Sequence, residues 1–181
     1  MTAMNLSDTD FQLFGIPDQF TLNMAELDAK WKALQREVHP DKFASQGASA
    51  QRLAMQWSVR INEAYKRLKD PLKRAAYLCE LRNAAINAEN NTAMPAAFLM
   101  QQIEWRENLD DAANAKEPLM ALQALMQEVE NKKSHLFQTI EVALDQKNDA
   151  KSAVDTVRSL MFIERFELEL EDAIEQQELK I

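Results

Sequence analysis

Residues 27–71 read LDAKWKALQREVHPDKFASQGASAQRLAMQWSVRINEAYKRLKDP, and this stretch decides the fold. Leu27, Trp31, Leu34 and Val38 recur at helical steps, which puts them on one face of an α-helix. Thr21 or Asn23 is placed to cap its start. Pro40 stops it at about His39, since proline lacks an N–H and restricts the residue before it. The chain then loops through Gly47. Leu53, Trp57, Ile61, Ala64 and Leu68 form a second stripe of the same period. Two amphipathic helices joined by a short polar loop predict an antiparallel hairpin, with His39, Pro40 and Asp41 at its tip.

Working outward, residues 8–14 form a short segment that ends at Gly15-Ile16-Pro17. Phe11 and Phe14 are three apart and can dock across the hairpin. Asp70-Pro71 ends the second helix, and Pro71 suits the first turn of another that runs to about Asn83. Residues 84–94, AAINAENNTAM, are small and Asn-rich and read as a linker. Thr92 then caps a helix with Pro95 in its first turn, running to about Ala115. Leu119, Leu122, Met126, Val129, Leu136, Phe137, Ile140 and Leu144 make a long stripe that Asn148-Asp149 breaks. A last helix over 151–179 carries Val154, Val157, Met161 and Leu168 on one side. Three helices with short connections predict an antiparallel bundle. The expected fold class is all-α: a helical-hairpin domain over 1–83, a linker over 84–94 and a three-helix domain over 95–181.

Composition excludes much else. Among 181 residues there are two glycines, two histidines and one cysteine. A phosphate-cradling loop or a dinucleotide fingerprint needs more glycine, and so does a many-turned β sandwich. One cysteine rules out an internal disulfide and a Cys-rich zinc or iron–sulfur site. No apolar run approaches the ~20 residues of a membrane span. The first basic residue is Lys30, so no positive n-region of a signal peptide is expected, and the free thiol suggests the cytoplasm.

Charge is unevenly placed. Residues 1–82 carry twelve Lys/Arg and ten Asp/Glu, a balance of +2; residues 83–181 carry nine and nineteen, a balance of -10. Opposite balances suggest two domains with different partners, and the acidic half argues against nucleic acid. Lys32 and Arg36 are four apart, roughly opposite the Leu27–Val38 stripe, and form a basic strip suited to an acidic partner. On the helix from 96, at about 100° per residue, Ile103, Glu107, Met100, Asp111 and Glu104 all follow Leu99 within about 140°. Phe98, Trp105, Leu109 and Ala112 share the other side. A helix with two apolar sides is either buried all round or pairs with something outside its domain. Unpaired buried acids are costly. The expectation is therefore that Phe98, Trp105 and Leu109 pack inward while Leu99, Met100 and Ile103 form an exposed patch rimmed by Glu104, Glu107 and Asp111. The pattern leaves a second reading open, with Leu99 and Ile103 as ordinary core. His135 reads as solvent-facing, Cys79 as a small buried residue, and Glu167, Glu169, Glu171 and Asp172 as a solvated surface split between faces.

The hairpin text resembles the J domain of the DnaJ-type co-chaperones. HPDK at 39–42 carries the likeness, with the Trp31/Leu34/Val38 stripe before it and INEAY at 61–65, Leu68, Asp70-Pro71, Arg74-Ala75 and Tyr77 after it. The resemblance implies that His39, Pro40 and Asp41, with Lys42, Lys32 and Arg36, bind a DnaK-type chaperone and trigger its ATP hydrolysis. DnaJ proteins continue with a Gly/Phe-rich stretch and often with zinc repeats, which two glycines and one cysteine cannot supply. Instead, FQLFGIP at 11–17, AFLMQQIEWRENL at 97–109 and TVRSLMF at 156–162 are similar to the HscB branch of co-chaperones. That branch implies HscA as the ATPase and the iron–sulfur scaffold IscU as client. It assigns scaffold binding to Leu99, Met100, Ile103, Glu104, Glu107, Asp111 and Phe162. It implies no catalytic residue, no cofactor, no metal, no nucleic acid and no membrane. The eukaryotic relatives' Cys-rich N-terminal module has no counterpart, so a bacterial form is expected.

Overall fold

The computed structural model describes residue 5, residues 7–86 and residues 96–180. Every regular element among them is helical: α1 Asp10–Phe14, α2 Met24–Glu37, a 3-10 segment Pro40–Gln46, α3 Ala48–Lys69, α4 Pro71–Leu81, α5 Ala96–Ala113, α6 Pro118–Glu141 with a π turn Val142–Gln146, and α7 Ala150–Glu178. The chain divides into two compact units, Met1–Leu78 and Cys79–Ile181, the division falling inside α4. The expected linker over 84–94 lies mostly outside the described residues, as do the Thr92 cap and Pro95; Ala84 and Ile86, at its start, are buried.

In the first unit each helix end has a local chemical cause. Thr9 and Gln12 form a reciprocal capping box on α1, and Gly15 closes it in the left-handed region at φ 57°, where a side chain would be strained. Asn23, not Thr21, caps α2 by accepting from Ala25 and Glu26 N–H groups. Asp70 accepts from the Leu72 and Lys73 N–H groups at the start of α4. Phe11, Phe14, Leu27, Ile61, Ala64, Leu68, Ala75 and Leu78 make the core. One buried charge sits beside it. The Asp10 carboxyl is fully buried, with Arg60 Nη1 2.7 Å from one oxygen and Arg67 Nη1 3.1 Å from the other. Neither contact is aligned as a hydrogen bond, so α1 is held to α3 here by charge. Tyr77 lies under the Arg67 guanidinium at 4.8 Å and against Phe11 at 6.0 Å, and its hydroxyl oxygen accepts from the Asp10 N–H. Arg74, also buried, donates to the Phe20 and Leu68 carbonyls.

The second unit is held by apolar contacts. Trp105 of α5 stacks on Phe166 of α7 at 5.6 Å, Phe166 on Phe162 at 6.4 Å, and Phe98 meets Phe162 edge-on at 5.8 Å. Leu122, Val129, Ile140, Leu144, Val157, Leu160 and Ile163 complete the core. Asn148 adopts φ 51°, and Asp149 caps α7 through the Ser152 N–H, so the expected break is a tight turn. Cys79 is buried and its thiol faces the Ala150 carbonyl at 3.7 Å. Burial pushes that thiol up to about 11, with Arg82 pulling it down and Glu80 adding to the rise.

Four sequence expectations are corrected. The tip after His39 is a 3-10 helix, not a plain loop: Pro40 starts it, and Gly47 at φ 91° ends it. Leu53 is exposed, because the buried line of α3 runs through Ala54, Ile61, Ala64 and Leu68, and Leu53 lies to one side. Leu168 is also exposed. The first half of α7 is covered on a second side by residues 79–86, where Arg158 donates to the Ile86 carbonyl. The second half lacks that cover, so only Ile163, Phe166 and Leu170 are buried there. Glu167 is not a solvated acid: it pairs with Lys133 at 2.5 Å and is largely covered.

Candidate functional site

Two surfaces gather the residues singled out by sequence, one on each unit. The first is the hairpin tip. Val38 ends α2, its N–H bonding to Leu34, and the backbone turns extended at His39. Pro40 then fixes the first 3-10 residue, so little backbone freedom is left to lose on binding. His39 Nδ1 accepts from the Asp41 N–H at 3.3 Å and lies 3.5 Å from an Asp41 carboxylate oxygen. With Nδ1 accepting, the neutral ring carries its proton on Nε2. Both side chains are otherwise open to solvent. Lys32, Arg36 and Lys42 are exposed, and among the described residues none has an ion pair. Lys30 contrasts with them: it is tied to Glu26 at 2.9 Å and to the Gly15 carbonyl.

A polar seam fixes where this surface sits. Trp31 Nε1 and Gln35 Nε2 both donate to Asn62 Oδ1, at 2.9 and 2.8 Å. Ser58 Oγ donates to Gln35 Oε1 at 3.0 Å, and Tyr65 to Asp28 at 2.7 Å, with Trp31 stacked on Tyr65 at 4.6 Å. These pairs set the register: 28 lies opposite 65, 31 opposite 62 and 35 opposite 58. The hairpin cannot slide without breaking all of them, so the seam fixes where the two helices carry the tip.

The second surface lies on α5. Trp105 is buried and Phe98 packs against Phe162, which places their side of α5 inward. Leu99, Met100 and Ile103 are 40%, 72% and 60% exposed. That settles the alternative left open by the sequence: this side is not core. Glu104, Glu107 and Asp111 are exposed on the same helix and form the rim. Phe162 is half-buried behind the patch. Arg106, one step round the helix, reaches Glu169 at 3.9 Å. Sequence reasoning missed Met55 and Val59, an exposed i, i+4 apolar pair on α3 outside its core stripe. Their spacing off the stripe was the available clue. No group of three His, Cys, Asp or Glu positioned to hold a metal occurs among the described residues, and none of their helices is long and apolar enough to cross a membrane.

Comparison with known proteins agrees across the chain. The family model described as HSCB C-terminal oligomerisation domain matches residues 94–176. The "Co-chaperone protein HscB homolog" of Burkholderia multivorans is 50% identical over 175 residues, which is 97% of this chain and 99% of that protein. That of Burkholderia cenocepacia is 49% identical over the same coverage. Chaperone HscB from Vibrio cholerae superimposes with a TM-score of 0.82 at 35% identity, covering 93% of this chain and 99% of that one. The crystal structure of human co-chaperone protein HscB gives 0.84 at 25% identity, covering 93% and 83%. A J-domain hairpin followed by a helical bundle, at this identity over nearly the full length of its relatives, places the chain in the HscB family of co-chaperones.

Proposed function

We propose that this co-chaperone stimulates the ATPase of a DnaK-type chaperone, HscA, and delivers to it an iron–sulfur scaffold of the IscU type for cluster transfer. In this reading the J domain, up to about residue 83, engages the ATPase through His39, Pro40, Asp41 and Lys42, with Lys32 and Arg36 steering an acidic surface toward it. The domain from about residue 95 holds the scaffold on Leu99, Met100 and Ile103, with Glu104, Glu107 and Asp111 as the rim and Phe162 as a further contact. The chain makes and breaks no bond itself and works in the bacterial cytoplasm. Joining the two units raises the effective concentration of client at the ATPase.

One observation carries the reading: the fold uses neither surface for its own packing. The His39 and Asp41 side chains are open and the α5 patch is exposed, although burying such apolar area would stabilise the unit. The test is steady-state ATPase of HscA with IscU, with and without this chain. Stimulation by the wild type and none by His39→Gln is expected, with IscU binding retained by the variant. Full stimulation by His39→Gln would sink the mechanism. A second reading takes the bundle as a dimerisation module for a co-chaperone with another client, favoured by the oligomerisation description of the matching family. Light scattering of the chain alone and a pull-down of IscU against an unfolded polypeptide separate the two.

A further inference from the structure

The outer face of the hairpin carries an apolar element that the proposed tripeptide-and-strip surface does not include. Met55 and Val59 are 58% and 57% exposed, one turn apart on α3. Their place follows from the seam. Asp28 and Gln35 face α3 through Tyr65, Ser58 and Asn62. On α2, Lys32 and Arg36 lie about 60–100° further round from Gln35, away from the Leu27 core side, at 100° per residue. On α3, Met55 and Val59 lie about 60–100° beyond Ser58, again away from the Ile61 core side. Both rotations lead to the same outer side of the hairpin. The antiparallel register then levels Met55 with Val38 and His39, and Val59 with Leu34 to Arg36.

We propose that Met55 and Val59 form an apolar shelf that takes an apolar segment of the ATPase partner, beside the acidic surface that Lys32 and Arg36 meet. This rests on the co-chaperone reading above and extends it from charge to shape. Among the described residues of the first unit nothing covers the shelf, since α1 and the core lie on the other side of α3. The shelf is also continuous with the basic strip and levels with His39, so a partner seated on that strip reaches it. An unbranched, polarizable methionine adapts to an apolar side chain more readily than a charged residue would. The occupant is therefore an exposed apolar stretch flanked by acids. Steering belongs to the strip and short-range selectivity to the shelf, because charge acts over a Debye length and apolar contact does not.

The test uses the full chain and HscA supplied with IscU. Met55→Gln with Val59→Gln removes the apolar contact while keeping good helix formers at exposed sites, so the far-UV CD spectrum stays unchanged. The expected result is a rise of about tenfold or more in the concentration giving half-maximal stimulation, with the maximum unchanged. That rise persists as salt is raised, whereas the loss from Lys32→Gln with Arg36→Gln shrinks. Met55→Leu with Val59→Ile keeps the wild-type value. A double Gln variant with the wild-type half-maximal concentration overturns the shelf alone. A wild-type chain that gives no stimulation overturns the ATPase-stimulation reading and the shelf with it.

Discussion

The two units hold themselves together by different means, and each leaves a different kind of surface free. The first buries a carboxylate between two guanidiniums, buries Arg74 against backbone carbonyls and zips α2 to α3 with a hydrogen-bonded seam. The second relies on a run of aromatic rings from Phe98 through Phe162 and Phe166 to Trp105. Directional polar contacts fix register and angle, which suits the ATPase-facing role proposed for the His39–Asp41 tripeptide. Ring stacking tolerates small shifts and leaves a helix free to be apolar on a second side, which suits the scaffold-binding role proposed for the α5 patch. The polar tip and the apolar α5 patch thus follow from how each unit is built.

The contrast between the units is tested most severely at Trp105. Trp105→Ala removes the biggest fully buried side chain and its stack on Phe166. The expected cost is about 4 kcal/mol, the usual range for emptying a buried aromatic site, read as the shift of the denaturation midpoint followed by CD. Asp10→Ala tests the other unit. It leaves Arg60 and Arg67 facing an apolar gap, but both side chains keep some solvent, at 23% and 41% exposed. The cost therefore falls to about 3 kcal/mol, the low end for a broken buried pair. Trp31 and Trp57 in the same unit report it by fluorescence. An Asp10→Ala cost above that of Trp105→Ala would reverse the contrast, making the charged cluster the stronger anchor.

How far the sequence reveals this depends on range. Pro40, Asn23, Asp70 and the Asn148-Asp149 turn act on their immediate neighbours, so element ends could be read to within a few residues. The 3-10 form of the tip could not, since a loop and a 3-10 turn share the same proline and polar residues. The Asp10 cluster was invisible, because its partners lie 50 and 57 positions along the chain and aspartate early in a helix has the simpler explanation of the dipole. Leu168 was misplaced because the cover over α7 changes along its length, which no single stripe can express. On α5 the residue pattern offers two apolar sides, and only the acids Glu104, Glu107 and Asp111 mark the Leu99 side as the outer one. The choice is made by Phe162 and Phe166 on α7, which receive Phe98 and Trp105.

That choice leads to the smallest expected effect on folding, and it sharpens the contrast between the units. Leu99, Met100 and Ile103 are already 40% or more exposed. Replacing all three with Ala removes little area that folding buries, and alanine favours the helix. The summed change in stability should stay within about 1 kcal/mol, against the much larger loss from Trp105→Ala one face away. Binding of an IscU-type scaffold should fall by on the order of a hundredfold if the patch is a central anchor, since such clusters dominate interface energy. Titration calorimetry of the triple variant against the scaffold measures the second, and CD denaturation the first. Loss of stability matching the Trp105 variant would mean that α5 buries both its sides, and the apolar unit would then have no free surface to offer.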